Sequence, residues 1–434
     1  MPFDLLGDDE GTRFFSKMAT AAYNEKEGGH TGNYFSYLWG PLGVRRAGPA
    51  AVAAFMKEQR WYYDLARRWD GQFTYQGWWD DSYTGNDMTG PFLLAYALPL
   101  HKLYITGKDM HGRNELSAKE VKEAIEDGRD YSYWYPEKSY DSRSEQELLK
   151  RLASWSPTVR FRAASSLSRK TGDVVCQLSA LLRTNDLDSR LGACEALEHM
   201  GTNAAPAVDD LARQLDHSNL WLRIRAVSAL GAIGQPARKV APAILRMAAA
   251  DDTSDPLNRQ RRYICMALPG LLGNSLEGID RQLLYPAVRK MLTLDDGDTR
   301  GRVGFVYNQL SEAELEPLWP DILRAASSRA PSGEMSQDPI LIAGLELMAK
   351  HHVKEGIPAT IKYAKNLEGW GAGRRSGRIM SVLKSYGAAA RDFLPELKAL
   401  VPRYKAEAED AIKSIEQAKD QTRLRTITPQ KAPR

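Results

Sequence analysis

The stretch that decides the fold reads LRTNDLDSRLGACEALEHMG at residues 182–201 and LDHSNLWLRIRAVSALGAIG at residues 215–234. A leucine, an arginine, an alanine, a second leucine and a glycine recur at the same spacing in both copies, shifted by 33 residues. The matched pairs are Leu182 and Leu215, Arg190 and Arg223, Ala193 and Ala226, Leu197 and Leu230, and Gly201 and Gly234. A repeat of this period is typical of a helical solenoid, in which one helix pair buries its apolar face only by stacking on the next.

Further copies of the pattern extend the repeat in both directions. They carry Leu152, Arg160, Ala163 and Leu167 in an earlier unit, Arg261, Ile264 and Leu268 in a later one, and Leu383, Gly387, Ala390, Pro395 and Leu397 in the last. Between the copies that begin at Arg261 and at Leu383, residues 300–310 and 312–326 predict a helix pair that lacks the recurring residues. The pattern therefore predicts an all-α superhelix, a solenoid over residues 142–402.

Each recurring residue type has a structural role in this scheme. The alanine follows the arginine by three residues and precedes the leucine by four, so these positions share one helix face. A small residue there lets the neighbouring helix approach closely, while the leucine fills the space between layers. The glycine ends the helix in the left-handed conformation that glycine adopts at little cost.

Over residues 144–250 this pattern resembles the HEAT repeat family and its bacterial short-repeat relatives. In that family an arginine and an acidic or amide residue in the preceding turn form a ladder along the stack. The resemblance implies that the ladder consists of Arg160, Arg190 and Arg223, with Asp186 and Asp216 as partners of the last two. Residues 153–159 contain no acid that could pair with the first arginine.

The front of the chain has a different packing chemistry, because 26 of the 39 aromatic residues precede residue 141. A helix that begins at Pro49 leads into a loop opening Asp-Gly-x-Phe at residues 70–73, and a Thr-Gly-led apolar helix follows at 89–98. This order resembles, over residues 12–106, the closing turns of the α/α toroids of terpenoid cyclases and prenyltransferases. A toroid needs many more helices than precede residue 107. We expect its front to be missing from this chain; helices that merely cap the solenoid are the alternative.

The toroid resemblance also implies candidate site residues, since such enzymes use acids and histidines at the mouth of an aromatic-lined cavity. The weak catalytic candidates are His30, Asp80 and Asp81, and the candidates for lining a pocket are Trp39, Trp78, Trp79 and Tyr83. The alternative is that the histidine and the aspartates cap helices or bind the loop backbone.

Five segments follow from these patterns. They are a toroid-like domain at 1–107, a helix and aromatic linker at 108–141, the solenoid at 142–402, a charged capping helix at 403–422 and a disordered tail at 423–434. In the second segment, Ser117 and Glu120 predict a capping box. The aromatic residues that follow it either cover a neighbouring domain or stack on a sugar or base.

Composition excludes several classes of function. A net charge of +4 is too small to indicate nucleic acid as a partner, and the longest apolar run falls short of the roughly 20 residues of a membrane helix. Three cysteines without a CxxC pair predict core residues, so we expect no metal and no cofactor. The start shows no signal peptide, but the expected missing front leaves the compartment open, and the oligomeric state is open as well.

The function that these observations favour is a non-catalytic protein-interaction scaffold, since no strong catalytic motif is present. Solenoids bind proteins along a concave ridge of inner helices. We expect the second helix of each unit to supply that ridge, with candidate residues Arg162, Glu195, Glu198 and Arg225. The alternative is a toroid-type enzyme or binding domain for a polymer or lipid-like substrate, with the solenoid as an accessory module.

Overall fold

The computed structural model describes residues 2–21, 34–77, 83–100, 114–129, 140–170, 174–331, 339–368, 372–420 and 423–427. Within these ranges the regular structure is helical, and extended pairing is limited to isolated bridges. The prediction of an all-α fold is confirmed. Internal contacts divide the chain into two compact units, Met1–Leu167 and Ser168–Arg434.

The first unit contains eight α-helices among its described residues. They are α1 (Pro2–Leu6), α2 (Asp9–Thr20), α3 (Tyr34–Val44), α4 (Pro49–Leu65), α5 (Thr89–Ala97), α6 (Ala118–Arg129), α7 (Glu145–Arg151) and α8 (Pro157–Leu167). The predicted capping box begins α6: the Glu120 N–H donates to Ser117 Oγ at 3.3 Å, and the Ser117 N–H donates to Glu120 Oε2 at 2.9 Å.

Stacked aromatic rings hold α3, α4 and α5 together in the first unit. Tyr37 of α3 stacks on Tyr62 of α4 with ring centroids 3.5 Å apart, and Tyr63 meets Phe92 of α5 edge to face at 5.0 Å. The Tyr63 hydroxyl donates to the Tyr37 carbonyl at 3.1 Å. Burial raises the pKa of Tyr37 to about 12. These side chains serve as core, which accounts for part of the aromatic richness of the region.

The second unit contains sixteen α-helices among its described residues. They are α9 (Val174–Leu181), α10 (Leu187–Met200), α11 (Val208–Gln214), α12 (Leu220–Ile233), α13 (Ala241–Ala249), α14 (Arg259–Leu272), α15 (Arg281–Met291), α16 (Gly297–Arg302), α17 (Gly304–Tyr307), α18 (Glu312–Leu315), α19 (Trp319–Ser327), α20 (Pro339–Lys350), α21 (Gly356–Lys365), α22 (Ala372–Ser385), α23 (Leu394–Lys398) and α24 (Val401–Gln417).

These helices stack as pairs, as the repeat predicts. The second helices form a continuous row in which α10 contacts α12, α12 contacts α14, and the row goes on through α16, α20, α22 and α24. Gly201 and Gly234 end α10 and α12 at positive φ angles of 55° and 76°, so the prediction that these glycines end the helices is confirmed. Their ψ angles of −132° and −134° lie outside the left-handed helical region that the prediction assigned to them. Gly387 also has a positive φ, 55°, near the end of the row.

The predicted fifth helix pair is wrong in its partners. Residues 300–310 form the short helices α16 and α17, which complete a unit that begins with α15. Residues 312–326 form α18 and most of α19, which packs against α20 as the first helix of the following unit. The sequence predicts a helix at both places. It does not show which helix is the first and which the second of a pair, because both assignments give the same helical periodicity.

The predicted disordered tail is also wrong over its described part, residues 423–427. Arg425 forms a parallel bridge with Val353, in the loop that follows α20. The capping helix is present as α24, although Lys405 interrupts it with a φ of 42°.

Candidate protein-docking face

The second helices α10 and α12 begin with the same local arrangement. Asp186 caps α10 by accepting from the Ser189 N–H at 2.8 Å, and Asn219 caps α12 by accepting from the Leu222 N–H at 3.0 Å. A cap of this kind satisfies one of the backbone donors that a helix N-terminus leaves without a partner. It fixes where each second helix starts, and therefore which side chains reach its outer face.

The ladder arginines lie four residues after these caps and tie the two helices of a unit together. The Arg190 guanidinium donates to the Thr184 carbonyl, and that of Arg223 donates to the His217 carbonyl at 2.9 Å. Both acceptors lie six residues upstream, just after the first helix ends. The arginine therefore binds a carbonyl of the turn that joins the two helices of its unit.

The acid partners implied for the ladder are wrong. Asp186 caps its helix, while the hydrogen bond of Arg190 goes to a carbonyl. Asp216 is exposed, and Arg223 instead pairs with Asp252 of the next unit at 2.6 Å. Sequence reasoning assigned each arginine an acid from its own turn, whereas the fold brings the acid from an insertion in the following repeat.

Two further arginines make the same carbonyl contact. Arg160 of α8 donates to the Ser154 carbonyl. It makes this contact although residues 153–159 contain no acid. Arg300 donates to the Leu294 carbonyl at 2.8 and 3.0 Å, in the unit that shows no alanine and leucine signature. The cap Asp296, four residues earlier, is the signal that would have found it.

The outer faces of α10, α12 and α14 carry large apolar side chains. Trp221 of α12 is 48% exposed and Met266 of α14 is 52% exposed, while Leu187 of α10 is also exposed. Trp221 meets Tyr263 of α14 edge to face, with ring centroids 6.4 Å apart. We call the surface formed by Leu187, Glu195, Glu198, Trp221, Arg225, Tyr263 and Met266 the docking face.

The predicted binding residues of α10 and α12 come together on this face. Arg225 Nη2 lies 3.2 Å from Glu195 and 3.1 Å from Glu198, so one cation bridges two carboxylates. Next to them, burial and the charge of Arg225 lower the pKa of His199, although Glu198 opposes them. Arg162 lies on α8, in the first unit, where its side chain is half-buried.

Most of the site residues that the toroid resemblance implies lie outside the described residues. These are His30, Trp78, Trp79, Asp80 and Asp81.

The two remaining pocket candidates lie in different surroundings. Trp39 is an exposed side chain of α3, whereas Tyr83 packs against Tyr34 with ring centroids 4.7 Å apart. These contacts show aromatic packing around Tyr83.

The described part of the chain contains no group of three or more His, Cys, Asp or Glu side chains placed to hold a metal ion. Cys194 and Cys265 are buried core residues, and burial raises the pKa of both thiols to about 12. The prediction of three core cysteines is wrong for Cys176, which is exposed on α9. Among the described helices, none combines the length and the apolarity needed to cross a bilayer.

Comparison with known proteins places the docking face within a recognised repeat. A model described as HEAT repeats matches residues 178–267, and one described as a domain of unknown function (DUF6288) matches residues 1–107. No curated protein matches the chain. Among solved structures, the X-ray structure of YibA from Escherichia coli, a Northeast Structural Genomics Consortium target, is 14% identical over 64% of this chain and 94% of YibA, with a TM-score of 0.44. The stacked helix pairs and the repeat match together make the fold of the second unit a HEAT-like solenoid.

Proposed function

We propose that the protein is a non-catalytic scaffold that binds a protein partner through the docking face on α10, α12 and α14. The observation that carries this proposal is the half-exposed Trp221, held edge to face by Tyr263 beside the exposed Met266. Exposed tryptophan with a supporting aromatic ring is typical of the few side chains that dominate a protein interface.

The energetics support the indole as the main contact. Burying its exposed half would remove on the order of 100 Å² from water and contribute about 2–3 kcal/mol. Its ring is already oriented by Tyr263, so little side-chain entropy remains to be lost on binding. Trp221 is therefore a pre-organised centre of the docking face, and a partner can bind it without a large conformational change.

The charges on the face support a partner that carries no strong net charge at this site. Arg225 is neutralised by Glu195 and Glu198, and Arg262 of α14 pairs with Asp296 of the next unit. These two cations are thus already paired within the chain. We propose that the partner presents an apolar or aromatic side chain to Trp221, with polar groups around it that match the charge-balanced rim.

Site-specific photo-cross-linking in the protein's native cells tests this proposal. A benzophenone amino acid replaces Leu187, an exposed residue of the docking face, in one variant and Arg246 in another. Arg246 is exposed on the first helix α13 and serves as the matched control. We expect a discrete protein adduct at position 187 and none at position 246. Adding Met266→Glu should reduce the adduct. Equal labelling at both positions, or an adduct that Met266→Glu leaves unchanged, would contradict the proposal.

A further inference from the structure

Residues 423–427 lie along the loop that follows α20 and pair with it through one isolated bridge, between Arg425 and Val353. The Arg425 N–H donates to the His352 carbonyl at 3.0 Å, and the Lys354 N–H donates to the Arg425 carbonyl at 2.8 Å. This is the parallel pairing by which peptide-binding proteins add an extended ligand to their own backbone. Backbone bonds of this kind accept any side chain, so sequence selectivity has to come from elsewhere.

An acidic pair beside the loop supplies that selectivity. The guanidinium of Arg425 contacts Glu312 at the start of α18 and reaches Glu316 Oε2 at 3.5 Å in the turn that follows. Two carboxylates around one guanidinium form charge-assisted contacts that a neutral residue cannot replace. The position therefore selects an arginine.

A third acid, Glu355, adds a further acceptor. Its Oε1 accepts from the Ile427 N–H at 3.1 Å, two residues after the arginine. Its Oε2 is buried and has no hydrogen-bond partner among the described residues. A buried carboxylate oxygen without a donor is costly, so a ligand that brings one more N–H to it would bind better than residues 423–427 do.

We propose that this surface, formed by Glu312, Glu316, Glu355 and the loop 352–354, is a docking site for an extended, arginine-bearing segment of a partner protein. We call it the tail groove. The chain's own residues 423–427 occupy it and compete with the partner segment. The proposal is independent of the docking face, which lies on other helices of the same unit.

Tethering sets the strength of that competition. A segment on the same chain acts at an effective concentration of about 1 mM. If residues 423–427 have an intrinsic Kd of about 10 μM for the groove, a partner segment binds the wild-type chain about 100-fold more weakly than it binds a chain whose own segment is released. Release of residues 423–427 would open the groove.

A fluorescence anisotropy titration with the full-length chain tests the proposal. The probe is a labelled peptide with the sequence of residues 421–429, QTRLRTITP. The full-length Arg425→Glu variant, whose own segment is released, should bind it at least tenfold more tightly than the wild-type chain. Adding Glu312→Gln and Glu316→Gln should weaken this binding at least tenfold. Glu407→Gln with Glu409→Gln, exposed residues of α24, is the matched control and should leave it unchanged.

A second peptide keeps the test informative if a protein variant misfolds. The same peptide with glutamate in place of the central arginine should bind the Arg425→Glu chain at least tenfold more weakly. Absence of saturable binding, or equal binding of both peptides, would overturn the proposal. A wild-type dimer that grows with concentration and disappears in Arg425→Glu would assign the groove to a second copy and would overturn it as well.

Discussion

Arg223 of α12 and Asp252 of the following repeat form an ion pair with 2.6 Å between Nη2 and Oδ2. The same guanidinium donates to Gln260 Oε1 at 2.7 Å and to the carbonyls of His217 and Ser218 at 2.9 and 3.0 Å. One side chain thus joins the end of α11, the start of α12 and the first residues of α14. It connects two successive layers of the solenoid directly beneath the docking face.

Replacing Arg223 by alanine should destabilise the second unit substantially. The side chain is 11% exposed, and its loss removes the guanidinium donor to two carbonyls, to Gln260 Oε1 and to one oxygen of Asp252. We expect the free energy of unfolding to fall by about 2–4 kcal/mol, measured by urea denaturation followed by circular dichroism. Arg302→Ala, which removes a half-exposed pair with Asp298 within one helix, should cost less than about 1 kcal/mol. Equal costs for the two variants would contradict this role of Arg223.

Gly270→Ala should separate the two central helices of the docking face. A Cβ at Gly270 of α14 would overlap the carbonyl oxygen of Gly231 in α12, and backbone cannot move aside as a flexible side chain can. We expect a loss of about 2–4 kcal/mol in thermal or urea unfolding. The control is Gly377→Ala in α22, where a Cβ meets nothing within 4 Å and alanine should stabilise the helix by up to about 1 kcal/mol. Stability changes of the same sign in both variants would argue against this helix contact.

The sequence predicts the positions of the ladder arginines but not their acceptors. Arg190 and Arg223 recur at the same spacing because each side chain must reach back to the turn after a first helix. That spacing can be read from the sequence alone. The acceptor of Arg223 is not visible, since Asp252 lies in an insertion that one repeat has and its neighbour lacks. Arg300 is not predicted as a ladder arginine, because its repeat carries Val303 and Tyr307 where other repeats have alanine and leucine.

The docking face is only partly predictable for the same reason. Helical spacing places Glu195, Glu198 and Arg225 on outer faces, but only the fold shows that they neutralise one another. Trp221 is missed because the equivalent position of the preceding repeat is Asp188, so comparison of the two copies does not single it out. The contact of Arg425 with the loop after α20 joins segments far apart in the chain, and no local periodicity encodes it.

Glu314 should make stability fall as the solution becomes acidic. Hydrogen bonds from Ser311, together with Arg281, lower its pKa from 4.5 to about 2. Because the folded-state pKa is the lower one, its contribution is complete above about pH 4.5 and is lost as the pH falls toward 2. Glu314→Gln should therefore show a smaller drop in urea midpoint between pH 6 and pH 2 than the wild type. Ser311→Ala should act in the same direction, and unchanged profiles in both variants would contradict the assignment.

The most direct test of the central claim measures the affinity of the photo-cross-linked partner, once identified, for two tryptophan variants by isothermal titration calorimetry. Trp221→Ala removes the centre of the docking face, whereas Trp69→Ala removes a side chain that is 94% exposed in the first unit. We predict a loss of about 2–3 kcal/mol for Trp221→Ala, or roughly 30- to 150-fold in Kd, in a chain that circular dichroism shows to be folded. Trp69→Ala should leave the Kd unchanged. A Kd that is unaffected by Trp221→Ala, or weakened equally by both variants, would contradict the assignment of this face as the docking surface.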